Sequence, residues 1–184
     1  MKKVLLAITL MLGMTSFGQE QYATYSKGSI SIVTEKGKSQ KNVYMDVSNK
    51  VGLRFTPKTM ISFVTFIEEC YAKYHEWDSI AKANNVMDMS LKYYGDFKVS
   101  GYFDYGGWNF GYAKVKLIFS LKDGISTSHI YIGKMISSSN QYIESDSVML
   151  KLTDELLEEI QTLLSTEAID EFITAKNKTK SLFD

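Results

Sequence analysis

Between Thr56 and Asn85 the chain carries one apolar stripe that something else has to cover. Met60, Phe63, Val64, Ile67, Cys70, Tyr71, Tyr74, Trp77 and Ala81 recur at spacings of three and four, which describes a long helix with a single buried face. Thr56-Pro57 is a start signal: a threonine side chain caps the free amides, and proline fits the first helical position, where no amide partner is needed. Asn84-Asn85 marks the end. Most of the stability of such a helix comes from packing its stripe against a second apolar layer. The chain must therefore provide that layer.

The remaining sequence offers it as strands, because the apolar period changes to two. Over residues 29–47, Ile30 and Ile32 alternate with serines, and Val43, Met45 and Val47 alternate with Tyr44 and Asp46. This predicts a hairpin connected through the charged stretch 35–42, with Val51, Leu53 and Phe55 extending the sheet. Residues 19–28 are polar and are expected to fray. Further on, Phe97, Val99, Gly101 and Phe103 share one face, as do Ala113, Val115, Leu117, Phe119 and Leu121. A loop over 104–108 keeps the two sets in phase and pairs Phe103 with Asn109 and Val99 with Ala113. Asp123-Gly124 is a two-residue turn signal, so a third strand is expected over 125–136, a polar loop over 137–141, and a last strand through Val148, Leu150 and Leu152. Thr153-Asp154-Glu155 then caps a second helix carrying Leu156, Ile160, Leu163 and Phe172, with Ser165-Thr166 as a point of breakage. The fold class is α+β, a mostly antiparallel β-sheet packed by two long amphipathic helices, in a single domain over 19–184.

The first eighteen residues have a different purpose. Lys2 and Lys3 precede an uncharged apolar stretch over 4–14, too short to span a bilayer, and Ser16 and Gly18 stand at the −3 and −1 positions of a signal-peptidase site. Export after cleavage behind Gly18 is expected, with no membrane span in the mature chain. The single cysteine, Cys70, then has no intrachain partner. Its place on the helical stripe predicts a buried free thiol. With 45% apolar and 13% aromatic residues the chain is too hydrophobic to be disordered. Zero net charge and a single arginine, Arg54, argue against nucleic acid, whose recognition draws on guanidinium forks.

Catalytic and metal motifs are missing from this sequence. Glu68 and His75 share a helix face, but no second histidine completes a zinc pair. His129 is isolated on a strand. Gly37-Lys38-Ser39 lacks the earlier glycine of a phosphate loop, since Ile32 stands there. No catalytic, metal or cofactor residues are assigned. The candidate ligand- or partner-binding residues are aromatic: Tyr102, Phe110 and Tyr112 fall on the strand face opposite the aliphatic core, and Tyr105 and Trp108 lie beside Gly106-Gly107 in the hairpin loop. Ile118, Tyr131 and Met135 add apolar surface to that outward face. Either another element covers it as a second core layer, or it is a surface for sugar rings, peptides or proteins. The expectation is an exported non-enzymatic binding protein with a protein or glycan partner. A carbohydrate-binding module using the aromatic hairpin and a small secreted hydrolase are the alternatives.

Overall fold

The computed structural model describes residues 19–34 and 41–180. The expected leader over 1–18 lies outside them, as does most of the loop over 35–42. Eight strands follow one another as neighbours in one sheet, each antiparallel to the next: β1 (Gln19–Tyr25), β2 (Gly28–Thr34), β3 (Lys41–Asp46), β4 (Val51–Phe55), β5 (Met89–Asp104), β6 (Trp108–Lys122), β7 (Ile125–Ile132) and β8 (Val148–Lys151). Helix α1 (Pro57–Ala83) connects β4 to β5, and α2 (Asp154–Leu163) and α3 (Thr166–Lys180) follow β8.

The helix signals act as read. Thr56 caps α1 and forms a reciprocal capping box with Thr59, with Pro57 at the start. The stripe packs on one face of the sheet: the Phe63 ring lies 4.9 Å from Phe55 and 6.0 Å from Phe97, and Trp77 lies 5.7 Å from Phe119. Farther along the helix, Asp78 accepts hydrogen bonds from Lys82 and from Ser126 of β7, both 2.6 Å. Those bonds hold its carboxyl below the usual carboxylate range. Leu156, Ile160, Leu163, Leu164 and Ile169 of α2 and α3 join the same apolar cluster. All three helices therefore cover one face of the sheet, called inner here.

Strand pairing follows the expected register, with Val99 opposite Ala113 and Phe103 opposite Asn109. Asp123 and Gly124 both have positive φ, 51° and 74°, the conformation of a two-residue hairpin turn.

Four expectations need correction. Residues 19–28 do not fray: β1 pairs with β2, and a bulge between Gln21 and Ala23 brings the Tyr22 ring within 5.1 Å of Phe172. Strand β5 begins at Met89, well before Phe97, because bulges between Met89 and Lys92 and between Tyr94 and Phe97 interrupt the period-two pattern. Strand β7 stops at Ile132, and residues beyond it bend across the sheet end. Met135 fills the slot over Gly101, where a Cβ would lie 2.5 Å from its sulfur; it is buried on the inner side and adds nothing to the outward face. Finally, the sheet is packed by three helices and not two, since Ser165 accepts from the Ala168 amide and starts α3 anew.

Cys70 is fully buried and free. Burial pushes its thiol up to about 12, with the nearby Glu69 carboxylate adding to the shift. We expect a soluble thiol reagent at pH 8 to label the native protein no faster than global unfolding exposes it, and to label it at once in denaturant. Rapid native labelling would refute this burial.

Candidate functional site

The outer sheet face carries the candidate residues, and none of the helices lies over it. Two buried apolar side chains fall outside the main core cluster, Tyr102 and Ile118, and both point outward. Their neighbours shield them. Ile118 stands between Tyr93 of β5 and His129 of β7.

Tyr102 is held by a device that spans four strands. Asp46, Gly52, Tyr102 and Phe110 form one cross-strand row through β3, β4, β5 and β6. Gly52 leaves a gap in it. The Tyr102 side chain lies across that gap, where a Cβ on Gly52 would sit 2.1 Å from its ring. Its hydroxyl thereby reaches Asp46 and donates a hydrogen bond of 2.5 Å. Ser29 donates to the other carboxylate oxygen, and the Tyr25 hydroxyl donates to the Asp46 carbonyl at 2.5 Å. Burial, then the bond to Asp46, pushes the Tyr102 phenol far above its ordinary range, and burial does the same to Tyr25. Both remain neutral donors at any physiological pH.

Tyr102 is consequently the base of an aromatic ladder and not part of the exposed surface. Its ring centroid lies 5.5 Å from Tyr44 and 5.5 Å from Trp108, distances at which tilted rings attract. Trp108 rests on it yet is 65% exposed. Tyr105, Tyr112 and Phe110 are 63%, 61% and 45% exposed. Gly106 and Gly107 take φ of 64° and 140°, so the hairpin turns tightly and leaves both loop rings in solvent. Asp104 accepts from the Gly107 amide and Asn109 donates to the Gly107 carbonyl, which fixes the turn.

Sequence reasoning grouped five rings as equals; the structure separates four exposed ones from a buried support. It also adds residues that were not singled out. Tyr44 and Asp46 alternate with core residues in the sequence, so their outward direction was readable. Their meeting with Tyr102 was not, because α1 separates β4 from β5 along the chain. Beyond Tyr112 the outer face turns basic. Lys98, Tyr112, Lys114, Lys116, Tyr131 and Lys134 line an open groove of about 500 Å3, together with Gly133 and Ile136. A second hollow of about 590 Å3 runs along α3, and among the described residues only that helix lines it. Among the described residues, no three histidine, cysteine or acidic side chains come together as metal ligands. His75 is exposed, and His129 has its imidazole held low by burial and by Lys151.

Two substitutions separate support from surface. Gly52→Ala forces Tyr102 out of its gap and is expected to cost about 1–3 kcal/mol of unfolding free energy. Trp108→Ala removes a mostly solvated ring and should cost about 1 kcal/mol or less. Urea denaturation of both variants checks the order, and a larger loss for Trp108→Ala would contradict it.

No helix among the described residues is long and apolar enough to cross a membrane. Comparison with protein-family models, with curated proteins and with solved structures finds no match, and the functional reading rests on this chain's own residues.

Proposed function

We propose that this chain is an exported, non-enzymatic binding protein that takes its ligand on the outer sheet face, at the rings around the Trp108 hairpin. One observation carries the reading: Trp108 is solvent-exposed but rests on Tyr102, itself fixed through Asp46 and Gly52. Exposed large rings on a sheet face are unfavourable unless something uses them. Rings already held in place lose little freedom when a ligand arrives, so more of the contact energy remains as affinity.

The partner classes that fit are a glycan or a protein. Flat rings bordered by Asp104, opposite Trp108, favour the glycan, because sugar rings present an apolar face and a rim of hydroxyls. This brings the carbohydrate-binding module forward as the more specific form of the same reading. A hydrolytic site would need titratable groups converging on bound substrate. Asp46, the acid beneath the rings, is instead engaged by Tyr102 and Ser29.

The test combines accessibility and affinity. In a Trp77→Phe variant, iodide should quench most of the remaining fluorescence, since Trp77 is the buried tryptophan and lies under Lys92 at 4.3 Å. Against a soluble-glycan array, Trp108→Ala should weaken any binding about tenfold, the equivalent of about 1.4 kcal/mol from one stacked ring. A shielded Trp108, or undiminished binding by both Trp108→Ala and Tyr112→Ala, would overturn the proposal.

A further inference from the structure

The outward side chains of β6 change character along the strand. Trp108, Phe110 and Tyr112 come first, then Lys114 and Lys116. Alternate residues of a strand are spaced roughly 6.5–7 Å apart, so the rings lead directly into the cations on one track. Lys114 is placed directly opposite Lys98 of β5. Like charges in that position repel, and a sheet gains nothing from them. The structure relieves them only at the edges: Asp96 takes a hydrogen bond of 2.9 Å from Lys114, and Lys98 lies 4.6 Å over the Tyr112 ring. Lys134, which lines the groove, pairs with Glu144 at 2.6 Å. Although the chain as a whole carries no net charge, this track gathers Lys98, Lys114 and Lys116 on one open surface.

We propose that the track binds a carboxylated polysaccharide, with sugar rings on Trp108 and Tyr112 and sugar carboxylates between Lys98, Lys114 and Lys116. This rests on the binding reading above and specifies its ligand class. Three features select a uronic-acid chain over other polyanions. The exposed rings are flat and offer no deep pocket for a peptide side chain. Strand β6 is bonded to β5 along the whole track, and its other side is taken by β7 from Val115 onward and before that by the Gly133 and Ser138 amides, which bond the Lys114 and Phe110 carbonyls, so a peptide cannot be held there by adding a strand to β6. Asp96 and Glu144 border the lysines, and their carboxylates accept hydrogen bonds from sugar hydroxyls. A phosphodiester backbone offers acceptors and negative charge but no hydroxyl donors to meet them.

The experiment is affinity electrophoresis of the purified protein through gels containing polygalacturonate, its fully methyl-esterified form, polyglutamate or single-stranded oligothymidylate. Retardation by polygalacturonate should be at least tenfold stronger than by the other three and should fall steeply between low salt and 0.5 M salt, about the range over which exposed charges become screened. Lys98→Met with Lys116→Met keeps the aliphatic stems and should abolish it, with a melting temperature unchanged or higher because the repulsion is gone. Equal retardation by the methyl ester would overturn the anionic assignment while leaving the ring platform standing. Equal or stronger retardation by polyglutamate or oligothymidylate would overturn the sugar assignment. No retardation in any gel would overturn the inference, and the platform is then decided separately by the Trp108→Ala comparison on neutral glycans.

Discussion

The contact on which the rest of the structure depends is the stripe of α1 against the inner face of the sheet. Met60, Phe63, Ile67 and Cys70 are almost completely excluded from water there. Each large side chain buried in this way contributes about 1.5–3 kcal/mol, far more than helix propensity provides over the same residues. Because α1 joins β4 to β5, its docking brings the two four-stranded halves of the sheet side by side. Residues 46 apart, such as Arg54 and Ser100, then become partners, and closing so long a connection costs more chain entropy than closing a hairpin does. Without that helix the row from Asp46 to Phe110 would not exist.

A second consequence is asymmetry between the two faces. The helices use the inner face, and the outer face has to manage its apolar groups by other means. It does so with a polar clamp. Asp46 receives Tyr102, Ser29 and, at its backbone, Tyr25, so the one large ring that sinks into this face has its hydroxyl satisfied. Gly52 is required for that arrangement, as any side chain would occupy the space of the ring. Rigidity at Tyr102 is then passed to Tyr44 and Trp108 by ring contact. Stability and the candidate surface are thus joined in one residue, and a change at Asp46 would be felt by both.

Much of this was legible in advance. The period of α1, the Thr56-Pro57 start, the in-phase hairpin of β5 and β6 and the Asp123-Gly124 turn depend on short-range geometry, which residue spacing reports directly. The beginning of β5 was not legible because two bulges shift its alternation. Strand β1 was hidden for a related reason: its side chains are largely polar, and it is held by pairing with β2 and by Tyr22 against Phe172. The break at Ser165 was visible as a point of weakness, but whether the helix continued through it depended on packing.

For the site, the sequence by itself determined that aromatic residues would alternate outward along β5 and β6 and that two more would stand in a glycine-containing turn. It determined this because a strand places alternate residues on opposite faces whatever its partners are. Only the tertiary structure decided that Tyr102 would be a buried support and that Gly52 and Asp46 would hold it. Those relations join strands separated along the chain by α1, and register between such strands is set by the whole packed sheet. Local spacing fixes which way a side chain points; what it meets there is fixed by the fold.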